Sequence, residues 1–208
     1  KCTVGAFQKT RNLVKVNVPR PQTGGWALSD ESAYGELMLY ENGDSFDIVP
    51  AGGNRPCIGV TLAGKNYLFT NHPNETISLD YASFADADGE LVVSGIYTTD
   101  WYVDDDGDDA NTGFLPTRPK KTLATAADLL LGGDTLWVFP GVYDDGKAFH
   151  NNDVSASRIV IKRDTSVISM AGAEATIIKG ASASSENSGT DEYGNGTDAI
   201  RCAYIGSN

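Results

Sequence analysis

The sequence is poor in histidine, cysteine and positive charge, and it contains no long apolar run. Its 16 lysines and arginines face 28 acidic residues, which gives the 208-residue chain a formal net charge of −12. Such a chain offers no basic stripe to neutralise phosphates, so nucleic acid is not expected as a partner. Apolar runs such as Leu129 to Leu131 are far too short for a bilayer-spanning helix, so no membrane insertion is expected. The two histidines, His72 and His150, have no Cys or His at ligand spacing, which argues against a zinc site.

The three cysteines leave two interpretations open. Cys2 and Cys57 can form a disulfide within the first half of the chain, with Cys202 as a buried side chain. Alternatively, all three are unpaired, buried thiols. The 23 glycines, in contrast, favour a turn-rich β structure over a helical bundle.

Residues 1–98 show the pattern of short strands separated by turns. Leu13 to Val18 alternates polar and apolar side chains with the period of two that is typical of a half-buried strand. Similar segments follow between turns rich in Gly and Asn: Glu36 to Glu41, Ser45 to Val49, Ile58 to Leu62, Asn66 to Thr70, Thr76 to Asp80 and Glu90 to Ser94. This spacing predicts an antiparallel β-sandwich-like domain over residues 1–98, and it includes no functional motif.

The composition changes just before Trp101. Trp101-Tyr102-Val103 predicts a brief strand, and a loop with five aspartates runs from Asp104 to Gly113. Residues 121–131 then place apolar side chains on one face at helical spacing and end at Gly132-Gly133, which predicts a helix with a glycine cap. Short segments rich in Val and Ile follow to the end of the chain.

The order of these motifs resembles the entry segment of pectate-lyase-like right-handed parallel β-helix proteins. The resemblance rests on Trp101-Tyr102-Val103, the acidic turn, Asn111-Thr112-Gly113, Pro116-x-x-Pro119, the helix, Gly133-Asp134-Thr135-Leu136-Trp137-Val138 and Pro140-Gly141-Val142-Tyr143. It implies that residues 99–208 form the N-terminal cap and first rungs of a parallel β-helix. The expected fold class is therefore mainly β, with a sandwich-like domain followed by the capped start of a right-handed parallel β-helix.

The same resemblance implies a secreted or cell-surface protein that acts on or binds polysaccharide. If the protein is an enzyme, the resemblance implies a polysaccharide lyase or glycoside hydrolase, with its catalytic rungs outside this chain, so no residue is assigned as catalytic. The alternative is a non-catalytic structural or adhesive surface module that self-associates through the open end of the β-helix. Trp26, Trp101, Trp137 and the nine tyrosines offer rings for stacking on sugars, but core packing is expected for Trp101 and Trp137.

The acidic loop is the candidate metal site. Asp104, Asp106, Asp108 and Asn111 bring together hard oxygen ligands of the kind that Ca²⁺ prefers. An EF-hand is excluded, because a loop counted from Asp104 has Asp109 at its sixth position and Leu115 at its twelfth. A solvated polar turn without metal is the alternative interpretation.

Overall fold

The computed structural model describes residues 13–39, 43–70, 72–87, 89–150, 155–184 and 196–206. The chain divides into two compact units, Lys1–Thr98 and Thr99–Asn208. Strands account for 48% of the described residues and helices for 7%, which confirms the mainly β class. No helix in the described ranges has the length and apolar character of a membrane span.

The described part of the first unit forms three small sheets. Its strands are β1 (Val14–Val18), β2 (Gly24–Leu28), β3 (Gly35–Leu39), β4 (Ser45–Gly53), β5 (Cys57–Leu62), β6 (Lys65–Leu68), β7 (Ile77–Asp80), β8 (Glu90–Val92) and β9 (Ser94–Tyr97). The strand orders are β3-β1-β8, β2-β4-β7 and β6-β5-β9. β1 and β8 pair in parallel, and the other pairs are antiparallel.

The period of two in the sequence explains how these strands face the core. In β1, the side chains of Val14, Val16 and Val18 are buried and the polar residues between them are partly exposed. The β5–β6 hairpin turns at Ala63-Gly64, where both residues have positive φ, as a two-residue turn of type I′ requires.

Two of the three cysteines lie within the described ranges. Cys57 is a free, buried thiol whose Sγ donates a hydrogen bond to the Gly59 carbonyl oxygen at 3.0 Å. Cys202 is free but exposed, so the expectation that it is buried was wrong. Cys2 lies outside the described residues.

In its described residues, the second unit combines one helix with short, mostly parallel strands. Its elements are β10 (Asp100–Val103), α1 (Leu123–Leu129), β11 (Thr135–Val138), β12 (Gly141–Tyr143), β13 (Ala148–His150), β14 (Ser155–Ile161), β15 (Ser166–Ser169), β16 (Thr176–Ile178) and β17 (Ile200–Ile205). β10-β11-β15 and β12-β16 are parallel sheets, whereas β14 pairs antiparallel with β13 and parallel with β17.

The predicted helix forms, but it is shorter than residues 121–131. Thr122 is its N-cap, and its hydroxyl accepts a hydrogen bond from the Thr125 N–H at 3.2 Å. Leu130 already has extended dihedral angles, and its carbonyl oxygen accepts a hydrogen bond from the Arg163 guanidinium at 2.8 Å. The helix buries the side chains of Leu123, Ala124, Ala126 and Ala127.

The parallel β-helix prediction was wrong. The described strands of residues 99–208 form separate sheets of two or three strands, and none of these sheets is closed or forms a solenoid. Short segments rich in Val and Ile, punctuated by glycine, specify strands but not the neighbours with which they pair. The antiparallel β13–β14 pair also departs from the all-parallel pattern that the resemblance implied.

Candidate functional site

The acidic loop after β10 is held by its own side chains and by residues 118–120. The Asp106 N–H donates to Asp104 Oδ1 at 3.1 Å, and the Ala110 N–H donates to Asp108 Oδ1 at 2.8 Å. The Asn111 side-chain amide donates to the Pro119 carbonyl oxygen at 2.9 Å. These bonds are those of polar turns in which Asp and Asn side chains replace backbone partners.

The loop brings together an acidic group that differs from the predicted one. Carboxylate oxygens of Asp104, Asp105 and Asp106 lie within 4.8 Å of one another. Asp108 and Asn111, which the sequence pattern included, bond instead to the backbone. The prediction omitted Asp105 because it took alternate residues as ligands, whereas the turn closed by Gly107 N–H to the Asp104 carbonyl oxygen gathers consecutive side chains. Asp105 also accepts a hydrogen bond from the Val142 N–H at 2.9 Å.

Calcium binding at this loop stays a prediction, and thermal unfolding tests it. We expect added CaCl₂ to raise the Tm of the unaltered chain and to leave that of Asp106→Asn unchanged, because the substitution removes one of the three carboxylates that would hold the ion. Asp106 is chosen because it is the most exposed of the three, so its replacement should disturb the fold least. A tenfold excess over the Kd corresponds to about 1.4 kcal/mol of stabilisation. Asp128→Asn, on the exposed face of α1, is the matched control and should keep the full shift. Equal shifts in all three proteins, or none, would mean that the loop is a solvated turn.

Asp109 ties the acidic loop to the start of α1. Its Oδ1 accepts hydrogen bonds from the N–H groups of Lys121 at 3.0 Å and Thr122 at 2.9 Å, and its Oδ2 accepts one from the Thr122 hydroxyl at 2.9 Å. The ammonium of Lys120 donates to the Asp109 carbonyl oxygen at 2.8 Å. Burial raises the pKa of Asp109, but the hydrogen bonds from Thr122, Lys121 and Thr125 together outweigh it, so this pKa is lowered from 3.8.

The lowered pKa of Asp109 predicts a specific acid sensitivity. Because the unfolded chain binds the proton more tightly, the stabilisation by Asp109 is complete above the ordinary pKa of 3.8 and is lost as the pH falls through the folded value. We expect Asp109→Asn to have a lower free energy of unfolding than the unaltered chain at about pH 5.5. The difference between the two proteins should become smaller below about pH 4. Urea unfolding at a series of pH values measures this difference in the free energy of unfolding, with Asp128→Asn as the control. A gap that does not change with pH would contradict the assignment.

The outward face of the β10-β11-β15 sheet is a second candidate site. We call it the aromatic face and define it by the alternate residues that point away from the buried Trp101, Leu136 and Val138. Its two rows follow from the strand register: Asp100, Thr135 and Ser166 in one row, and Tyr102, Trp137 and Ile168 in the next. Ile168 is 40% exposed, and the Tyr102 and Trp137 side chains are partly exposed.

Hydrogen bonding and ring contacts fix the rings on the aromatic face. The Trp137 indole N–H donates to Asp100 Oδ1 at 2.8 Å, which orients the indole along the sheet. Phe139 flanks the row, with its ring centroid 6.5 Å from that of Tyr102 and an angle of 52° between the planes. Burial, assisted by the negative charge of Asp100, raises the pKa of Tyr102, so the phenol is neutral at physiological pH.

The three tryptophans are not distributed between core and surface as the sequence predicted. Trp101 is in the core, as expected, and its indole N–H donates to the buried Asp134 carboxylate at 2.9 Å. Trp26 is also buried. Trp137 is the exception, since it lies on the aromatic face rather than in the core. The period of two in Leu136-Trp137-Val138 carries this signal, because the residue between two inward-facing residues of a strand must point outward.

A second cluster of reactive residue types is closed to substrate. His150 Nε2 lies 3.1 Å from Ser157 Oγ, and the His150 ring stacks on Tyr204 with centroids 3.9 Å apart. Both His150 and Ser157 are buried, as is Arg158, whose guanidinium donates to the carbonyl oxygens of Gly146 and Lys179. A nucleophile must reach its substrate, so these contacts stabilise the β13-β14-β17 sheet and do not form a catalytic pair.

The chain matches no protein-family model, no curated protein and no solved structure. The acidic loop and the aromatic face are therefore the features of the molecule that point to a function.

Proposed function

We propose that this chain is a polysaccharide-binding module of a secreted or cell-surface protein, and that its aromatic face binds the sugar rings. The observation that carries the proposal is the direct opposition of Tyr102 and Trp137 on neighbouring strands of a partly exposed sheet face. We assign no catalytic residue, and the proposal concerns binding.

The chemistry of a sugar ring fits the two rows of this face. A pyranose ring has apolar C–H faces, which pack against aromatic rings, and an edge of hydroxyl groups that both donate and accept hydrogen bonds. The row of Tyr102, Trp137 and Ile168 supplies the apolar platform. The parallel row of Asp100, Thr135 and Ser166 supplies a carboxylate and two hydroxyls beside it.

Preorganisation strengthens this interpretation. The bond from the Trp137 indole to Asp100 holds the largest ring of the platform before any ligand arrives, so binding loses less side-chain entropy. Tyrosine and tryptophan also offer large contact areas with few rotatable bonds.

Affinity electrophoresis of the whole chain tests the proposal. The gels contain hydroxyethylcellulose, arabinoxylan, galactomannan or polygalacturonate, and we expect at least one of them to retard the protein. Trp137→Ala should weaken that binding at least roughly fivefold, because an aromatic contact contributes about 1 kcal/mol beyond its buried area. Trp137→Phe, which keeps a ring, should retain part of it.

Phe149→Ala is the matched control for this experiment. Phe149 is 46% exposed but lies on β13, in a different sheet from the aromatic face, so its removal should leave retardation unchanged. Circular dichroism checks that each variant is folded. Absence of retardation by every polymer, or equal binding by Trp137→Ala and the unaltered chain, would overturn the proposal.

The finer architecture of the first unit is also a proposal. All three of its sheets contribute to one core cluster, which includes Val16 from β1, Ile48 from β4 and Val60 from β5. This shared core supports a β-sandwich-like arrangement of residues 1–98.

Self-association remains the second candidate function. It is favoured by β17, an edge strand among the described residues, where Ile205 is 77% exposed. Self-association through β17 requires only an unpaired strand edge and does not depend on a β-helix.

A further inference from the structure

We infer that the ligand of the aromatic face is a polysaccharide without negative charge. The inference rests on the proposed function and deepens it, because it excludes the uronate polymers. It is carried by the charge of the face and of the loop next to it.

The aromatic face contains a carboxylate and no cation. Of its six residues, Asp100 is the charged one, and no outward position of β10, β11 or β15 is occupied by Lys or Arg. Recognition of a sugar carboxylate relies on Arg or Lys, which form charge-assisted hydrogen bonds with it. A uronate on this face would therefore lose its hydration without gaining a counter-charge.

Nearby carboxylates add to the repulsion. β10 ends at Val103, and the next three residues are Asp104, Asp105 and Asp106, whose carboxylate oxygens lie within 4.8 Å of one another. Like charges repel over a distance of about 8–10 Å at physiological ionic strength, so this loop affects the end of the face nearest to it. The net charge of −12 acts in the same direction at longer range.

Several basic side chains of the second unit are engaged elsewhere. The Lys120 ammonium donates to the Asp109 carbonyl oxygen, and the Arg163 guanidinium donates to the carbonyl oxygen of Leu130. Lys179 pairs with Asp144 at 3.5 Å. Moving one of these cations to the aromatic face would break an existing contact.

The size of the face favours a sugar chain over a protein partner. Three strands of four residues present roughly 200 Å² of sheet, from the ordinary spacing of strands and residues. A stable protein interface takes about 800 Å² from each partner. A few sugar rings, in contrast, fit on two rows of three side chains.

Polymers with the same backbone but different charge test the inference. Hydroxyethylcellulose is compared with carboxymethylcellulose, and fully methyl-esterified polygalacturonate with polygalacturonate, by biolayer interferometry on the whole chain. We expect binding to a neutral member and at least tenfold weaker binding to its anionic counterpart, both in EDTA and in CaCl₂. Tighter binding to the anionic member in either condition would overturn the inference and leave the proposed function standing. Failure of every polymer to bind would overturn both.

A charge placed on the face provides the reciprocal test. Ser166 is exposed and lies in the polar row, so Ser166→Lys adds a cation without removing a ring. We expect it to strengthen binding of the anionic polymers roughly fivefold at low salt and to lose that gain at high salt. Ser184→Lys, at an exposed position outside this sheet, is the matched control. Equal gains from both substitutions would mean that net charge, and not the aromatic face, controls polymer choice.

Discussion

Replacing Asp134 with alanine is expected to lower the free energy of unfolding by about 3 kcal/mol, because one buried and one partly buried donor lose their acceptor. Asp134 is 1% exposed, and its Oδ2 accepts hydrogen bonds from the Trp101 indole N–H at 2.9 Å and from the Leu131 N–H at 2.8 Å. A buried donor without a partner costs about 1–3 kcal/mol, and the two costs add here because both donors remain in place.

Urea unfolding followed by tryptophan fluorescence measures this loss. Asp128→Ala, an exposed aspartate on α1, is the matched control and should change stability by no more than about 0.5 kcal/mol. Asp134→Asn keeps a side-chain acceptor and should fall between the two. If Asp134→Ala were no worse than Asp128→Ala, the carboxylate would not be a structural acceptor for Trp101 and Leu131.

Truncating Leu79 in the first unit is expected to lower the free energy of unfolding by about 2–5 kcal/mol, because it leaves a cavity in a packed core. Leu79 lies on β7 with no exposed surface, directly opposite the buried Phe46 on β4. The neighbouring strands fix the surrounding side chains, so the site can collapse only in part.

Leu68→Ala is the control, because it removes the same atoms from a residue of the same unit that is 52% exposed. Its cost should stay within about 1 kcal/mol. Urea midpoints of the two variants give the comparison. Similar losses for Leu79→Ala and Leu68→Ala would show that β7 does not pack on the core as described.

The strands and the helix could be predicted because their signals are local. Alternation in Leu13 to Val18 identifies β1, and the spacing of apolar residues identifies α1, although Thr122 and Leu130 end that helix sooner than the pattern suggested. β2 has no comparable signal, because Gly24 and Gly25 supply no side chain to alternate.

The pairing of the strands could not be predicted, because partners far apart in the sequence are chosen by packing and register. This explains why the resemblance of the second half to a β-helix failed in this structure. The candidate sites show the same division. The acidic loop was visible as composition, but the grouping of Asp105 with Asp104 and Asp106 depends on a turn. The aromatic face required the register that sets Tyr102 opposite Trp137.

The brevity of α1 has a consequence for the order in which the second unit folds. A helix of seven residues is too short to persist alone, because nucleation costs more than so few hydrogen bonds return. Its two ends are held by Asp109, 13 residues before Thr122, and by Arg163, 33 residues after Leu130. The helix therefore depends on contacts that close late, and its amide hydrogens should be among the earliest in the unit to exchange with solvent.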